Sequence, residues 1–401
     1  MILAERHIIK QNNKHYKELD NLCFLSKNLY NSALYSIRQY YFQNKKYLNK
    51  FQLINEFTKN NQVDYIQLPR KVSQQVIYQV DQNFKSFFNS LKSNNIKHKV
   101  SLPKYLNKQG RYCLVYTNQA VSYKQLKNNV LQLSGLKTFT LKIKHNAVKQ
   151  VRISHKGYYI VIEVLYEEKE IPIKENNNRY ASIDLGINNL ATVASNIITP
   201  IIINGRPLKS INNFYNKKLA LYKSQQDNNK HTKDFNKNNI YKLTLKRNNK
   251  IKDYLHKSSK YIVNHLVSNN INTLIIGLNK NWKQETNIGK RNNQNFVQIP
   301  HSYFINLLKY KCQLKGITVI IREESYTSKC SFIDKEEICN HCNYLGTRLK
   351  RGLFKTNNGL LINADINGSL NILRKEVSNA FTDERYEIQV YSMPSVFTVK
   401  L

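Results

Sequence analysis

The sequence predicts a multidomain α+β protein in which a β-rich N-terminal unit is interrupted by a helical lobe and followed by an α/β domain on a mixed sheet. Three observations predict it. Apolar residues recur at spacings of three and four over about 14–95, the period drops to two from Lys99 to Glu168, and strand-like and helix-like runs alternate beyond 179.

Each element follows from its own residues. After a short β-like opening, Leu22, Leu25, Leu29, Ala33, Ile37 and Tyr40 line one helix face. A second stripe runs Val72, Val76, Val80, Phe84, Phe87 and Leu91, starting just after Pro69, where proline suits a first helical turn. The runs QLSG, FTLKIK, QVRIS and YYIVIEVLY, punctuated by Gly135 and Gly157, read as a small β-barrel or sandwich. Charge, a proline and an Asn run in EKEIPIKENNN mark a boundary around 169–179. Beyond it, RYASIDLG and LATVAS form a strand-turn-strand and 208–268 a long basic helical hairpin. NTLIIGL follows as a buried strand, HSYFINLLKYKCQLKG as a helix and ITVIIRE as another strand.

Composition narrows the partner. The chain has 401 residues, 41% of them hydrophobic, which is room for two or three cores. Lys and Arg number 63 against 26 Asp and Glu, a net charge of +37 that suits a polyanion held through many phosphate contacts. An A+T-rich genome raises Lys, Asn, Ile and Tyr together, but it does not deplete acids. Residues 201–260 alone carry 15 Lys/Arg against three Asp, interleaved with Tyr and Asn, as on a surface laid along a nucleic-acid backbone; a solvated helical face is the plainer alternative. No run of about 18 apolar residues occurs and the N-terminus lacks a signal-peptide core, so a soluble, cytosolic protein is expected.

Two acids stand out. Asp184 ends an apolar strand directly before the Gly/Asn turn Gly186-Ile187-Asn188-Asn189. A buried carboxylate is costly unless paired or metal-bound, so Asp184 needs a partner, although turn capping would also account for it. Asp365, in NADINGSLNILRK, opens an apolar helix, where an N-cap role is the bland account. Acids on separate elements also suit phosphodiester hydrolysis by two Mg²⁺ ions about 3.5–4 Å apart. Of six cysteines, Cys330, Cys339 and Cys342 crowd together, which favours a metal over a disulfide; Cys23, Cys113 and Cys312 sit in apolar surroundings and read as core.

IDLGINNLATVAS resembles the first RuvC-like motif of the TnpB family, the ancestors of type V CRISPR effectors, and INADINGSLNILRK resembles the third. RNNKIKDYLHKSSKYIV is similar to the family's basic helix and SYTSKC to its Y-T-S-x-x-C signature. The likeness extends to LPRKVSQQVIYQVDQNFKSFF and KQVRISHKGYYIVIEVLY, so it covers nearly the whole chain. The resemblance implies a wedge-type β-barrel over 1–13 and 96–170, with a helical recognition lobe over 14–95 inserted. A RuvC/RNase H-like nuclease domain follows over 178–324 and 361–378, with a degenerate zinc-ribbon-like insertion over 325–360 and a C-terminal tail over 379–401. It also implies a guide RNA transcribed from the transposon end, a double-stranded DNA target cut with Mg²⁺, and a short flanking DNA motif read by the protein while base pairing reads the target.

The chain departs from the family pattern twice. The middle carboxylate is expected in an E-x-L segment ending the strand after the basic helix, where this chain has Ile276-Gly277-Leu278. Either the site has lost its acid, leaving a nuclease-inactive RNA-guided DNA-binding protein that represses by occupancy, or the acid has moved. Glu323 and Glu324 end the next strand just before Tyr326-Thr327-Ser328, an arrangement similar to the Fanzor relatives, whose spacing favours Glu324. Metal ions sense ligand position and not sequence order, so the expected Mg²⁺ ligands are Asp184, Glu324 and Asp365. Glu285, in the loop-like KNWKQETN, is a further candidate. Second, the family's two C-x-x-C pairs are reduced to Cys330 and Cys339-Asn340-His341-Cys342, followed by GLFKTNNG. Three thiolates, with a histidine, could hold Zn²⁺; the alternative is a ribbon held by packing. A DNA-strand transposase is disfavoured, because no tyrosine or serine recombinase constellation accompanies the acids.

Overall fold

In the computed structural model the described residues are 1–92, 100–228, 233–279, 284, 289–381 and 394–400. The chain divides into two units, Met1–Lys169 and Glu170–Leu401.

In the first unit, β1 (Ile2–Lys10) leads into α1 (Tyr16–Asn44), α2 (Lys50–Lys59), the single turn α3 (Val63–Ile66) and α4 (Arg70–Lys92). Both apolar stripes become buried faces: Leu29, Ala33 and Ile37 of α1 and Val72, Val80 and Phe84 of α4 are fully enclosed, while Leu91, at the end of the second stripe, is exposed. Asn49 caps α2 in a reciprocal box with Gln52. The buried carboxylate of Asp81 is satisfied by the Tyr47 hydroxyl at 2.8 Å, the Lys50 amide at 3.2 Å and Lys85. The amide opens α2, whose N-terminal dipole favours the negative charge.

The chain then passes through β2 (Leu114–Thr117), the turn α5 (Tyr123–Leu126), β3 (Val130–Leu131), β4 (Leu141–Lys142), β5 (Val148–His155) and β6 (Tyr159–Glu167). The described strands form a four-stranded antiparallel sheet, β1-β6-β5-β2, and a separate β3-β4 ladder. The run FTLKIK thus gives only the two-residue β4, while QLSG follows β3 and forms an isolated bridge at Leu133 and a turn. Between β3 and β4, Gly135 has φ +80° and lies so close to Pro69 that a Cβ would stand 2.5 Å from its ring, so the loop is pinned onto the start of α4.

The second unit contains β7 (Tyr180–Leu185), β8 (Asn189–Ser195), β9 (Ile201–Asn204), α6 (Arg206–Asn228), α7 (Lys233–Ser268) and β10 (Thr273–Gly277). There follow α8 (Lys290–Gln298), α9 (His301–Gln313), β11 (Thr318–Arg322), β12 (Thr347–Lys350), β13 (Leu353–Lys355), β14 (Leu361–Asn363), α10 (Ala364–Glu376) and β15 (Ser395–Phe397). Among the described residues one six-stranded mixed sheet runs β11-β10-β7-β8-β9-β15. β7, β8 and β9 form an antiparallel meander; β10 and β11 add on parallel to β7, and β15 adds parallel to β9. β10 is buried along its whole length, as a parallel strand covered on both faces must be, and its sequence TLIIG shows no alternation.

Five strands, β9, β12, β13, β14 and β15, were not legible in the sequence. β9 and β15 are too short to carry a period, and the GLFKTNNG stretch forms β13, whose buried Phe354 packs against Gly346. β15 lies within the stretch read as a tail, and Val399 just beyond it joins the core. Among the described residues no helix is long and apolar enough to cross a membrane.

Candidate active site

The sheet and α10 meet at a cavity of about 330 Å³ lined by Asp184, Asn189, Thr192, Asn279, Glu324, Tyr326, Arg348 and Asp365, among others. Asp184 arrives from β7, paired with Thr192 of β8. The turn after it folds tightly: a Cβ on Gly186 would stand 2.6 Å from the carbonyl oxygen of Asn189. Asp365 sits in the first turn of α10. The capping role belongs to Asn363, whose side chain accepts from the amides of Asp365 and Ile366, and this leaves the Asp365 carboxylate free for other partners. Those partners are Asn189, donating at 2.7 Å, and Arg348 of β12, at 3.4 Å.

Glu324 follows β11. Its backbone is held by the Asn279 side chain, which accepts from the Glu324 amide at 3.0 Å, and by the Thr327 hydroxyl, which donates to its carbonyl at 2.8 Å. The carboxylate then reaches back over β10: a Cβ on Gly277 would lie 2.6 Å from Oε2 of Glu324 and 2.5 Å from Cδ1 of Ile372. The neighbouring Glu323 goes elsewhere, accepting from Ser325 and pairing with Lys375 at 2.8 Å, and these contacts hold its carboxyl below the usual range. Glu285 lies outside the described residues.

Burial raises the Asp184 carboxyl well above its ordinary pKa, and the charges of Glu324 and Asp365 add to the effect against weaker opposition from Arg348. Burial likewise pushes Glu324 to about 7, with Glu323 contributing and Lys375 opposing. Both acids keep a native-state proton that the unfolded chain releases. In chelator, the contribution of Glu324 to stability is therefore fully present below about pH 4 and is lost as pH rises through about 7, and that of Asp184 changes in the same direction. For Glu324 the loss amounts to up to about 3 kcal/mol, at 1.36 kcal/mol per pKa unit. Urea unfolding between pH 4 and 8 is expected to show this decline, and Glu324→Gln to flatten part of it.

α10 contributes more than Asp365. Gly368 brings its backbone against Asp184, Oδ2 lying 3.0 Å from where a Cβ would be. Asn367 and Asn371, fully buried one turn apart, both donate to the Cys330 carbonyl, at 2.9 and 2.7 Å. Asn371 also donates to the Thr327 carbonyl at 2.9 Å, so α10 clamps the loop that follows Glu324. Their spacing of four within an apolar helix is the sequence signal that would have found them. Arg348 and Asn189 had no such signal.

The expected zinc ligands are not brought together, and among the described residues no three His, Cys, Asp or Glu side chains are gathered closely enough to hold a metal ion. Cys330 is fully buried, Cys339 lies against His341 and Cys342 is exposed. The stretch is organised by polar contacts instead. Glu336 accepts from the amides of Ser331 at 2.7 Å and Leu345 at 2.9 Å, and Arg374 donates to the Glu336 carbonyl.

The fold and site define a mixed α/β multidomain protein with an acidic cavity between its sheet and α10. Residues 163–283 match the OrfB_IS605 family, described as a probable transposase, and residues 301–372 match the TNB domain of Cas12f1-like proteins. TnpB-like protein ORF457 of Acidianus two-tailed virus is 25% identical over 402 residues, covering 90% of this chain and 84% of that protein. Cas12f1, solved as a complex with sgRNA and target DNA, shares the fold with a TM-score of 0.54 at 15% identity, over 89% of this chain and 82% of that one. The mini-RNA-guided endonuclease Cas_phi3 does so with a TM-score of 0.50 at 10% identity, over 93% and 92%. These matches bear out the resemblance to the TnpB family.

Proposed function

We propose that this chain is a TnpB-type RNA-guided DNA endonuclease that hydrolyses target DNA beside a short flanking motif, using Mg²⁺, in the cytosol. The observation that carries the reading is the carboxylate of Glu324 standing over Gly277. The acid missing from the end of β10 is supplied in space by one arriving from the end of β11. The net charge of +37 supports nucleic-acid partners, as do the guide RNA and target DNA named with the Cas12f1 relative.

Residues 1–13 and 96–170 would form the wedge and 14–95 the recognition lobe. Residues 178–324 and 361–378 would form the RuvC-like nuclease, now with β15 on its sheet, and 325–360 a degenerate zinc-ribbon-like insertion.

Asp184, Glu324 and Asp365 would hold the metal. They line one cavity but, like the cysteines, are not drawn closely enough together to grip an ion as they stand, so binding would have to pull their side chains inward; a cation there would relieve the burial and mutual repulsion that raise the Asp184 carboxyl. Mg²⁺ held by these three carboxylates would supply the chemistry of activating water for attack on a phosphodiester and stabilising the leaving oxygen. Asn189 fixes the orientation of Asp365, and Arg348 presents a guanidinium at the cavity whose fork suits a phosphate.

The test is a cleavage assay on protein purified with transcripts of its own locus. A discrete RNA should survive high salt, and a guide-matched duplex from a library of randomised flanking sequences should be cut when Mg²⁺ is added. A duplex that is bound but never cut, with Mg²⁺ or Mn²⁺, would replace this reading with the nuclease-inactive, occupancy-based one.

A further inference from the structure

A second cavity, of about 420 Å³, lies between α6 and α7, away from the carboxylates. Ile211, Phe214 and Leu243 give it apolar walls, Lys246 and Lys250 a cationic edge, and none of its lining residues is Asp or Glu. The wall is built, not incidental. Arg247 donates to Asn212 at 2.8 Å, Asn248 at 3.0 Å and the Gln298 carbonyl at 3.0 Å, with its guanidinium 5.4 Å from the Tyr215 ring centre. Asn212 is fully buried, and the Tyr215 hydroxyl is hydrogen-bonded to Thr244 at 3.1 Å. The frame is thus fixed while Phe214 stays 58% exposed at its edge. Lys246 and Lys250 are four residues apart on α7 and so share one face.

We propose that this cavity binds an unstacked base of a single-stranded nucleic acid, with the base against Phe214 and the adjoining phosphates on Lys246 and Lys250. An aromatic face beside paired cations is the chemistry that holds single strands without reading sequence. A duplex keeps its bases stacked and offers only the phosphates. A protein segment would have to carry acids beside its apolar anchor, whereas the 15 Lys/Arg against three Asp over 201–260 favour a polyanion. The inference does not depend on cutting.

The test uses the full chain carrying Asp184→Ala and a fluorescent dT pentanucleotide, compared with the same strand bearing a central abasic site. Anisotropy should show the intact strand binding about five- to 150-fold more tightly, the range for one stacked base. Phe214→Ala should erase that preference and Phe214→Tyr should keep it. Lys246→Ala and Lys250→Ala should weaken both strands and each reduce the slope of log affinity against log salt by about 0.7. A uridine pentanucleotide in parallel tells an RNA strand from a DNA strand. If Phe214→Ala retains the full preference for the intact strand, the base site is refuted and the cavity is left to a protein segment. Phe214 is exposed, so loss of fold is not expected to confuse the result, and circular dichroism of the variant checks it.

Discussion

Asp184→Asn is expected to abolish Mg²⁺-dependent cutting of a guide-matched duplex, by about 10³-fold or more, while RNA-directed binding stays close to that of the parent. Losses of this size follow when a charge-stabilising group is removed from a water-poor site. Glu324→Gln and Asp365→Asn should behave alike, because all three carboxylates face one cavity. Glu323→Ala should cut nearly normally, since its carboxylate is committed to Lys375 and Ser325. Stability provides an independent readout. Asp184 is desolvated and repelled by two acids, so its neutral amide should leave the chelated protein at least as stable as the parent at pH 8, with activity gone. An Asp184→Asn protein that cuts at the parental rate would remove the carboxylates from the mechanism. If Glu323→Ala is dead and Glu324→Gln active, the assignment is off by one residue.

The second large effect is expected at a residue with no side chain. Gly277→Ala introduces a Cβ 2.5 Å from Cδ1 of Ile372 and 2.6 Å from Oε2 of Glu324. Both neighbours are ends of side chains, so the fold should survive while the carboxylate is displaced. A shift of about 1 Å in a reacting group costs on the order of 10²-fold in rate, and cutting should fall by about that much with binding retained. The reciprocal experiment returns the acid to the strand. Gly277→Glu combined with Glu324→Ala, and with Ile372→Val to make room, should recover part of the activity that Glu324→Ala alone loses. Parental cutting by Gly277→Ala would show that Glu324 does not act from the place it occupies.

Asp184 and Asp365 were legible because each is a lone acid at an element boundary, and such boundaries follow from local pattern. Glu324 was legible only through resemblance. What ties it to Gly277 is the parallel register that pairs Gly277 with Arg322, a tertiary fact with no trace in either segment. The cysteine cluster left two readings open for a related reason. Its spacing suits a metal or a stretch held by packing, and spacing alone does not show that Glu336 gathers the stretch through the amides of Ser331 and Leu345. Both stripes of the helical lobe were readable, since one buried face writes its period directly into sequence.

Gly368 has a consequence for laboratory evolution. A glycine inside a helix costs roughly 0.5–1 kcal/mol relative to alanine, so a screen that rewards heat resistance alone has a ready gain at this position. The methyl group would meet Oδ2 of Asp184 at 3.0 Å, and the carboxylate would have to give way. Breeding this protein for robustness therefore runs against breeding it for performance at one identifiable codon, and a library meant to achieve both should hold that codon fixed.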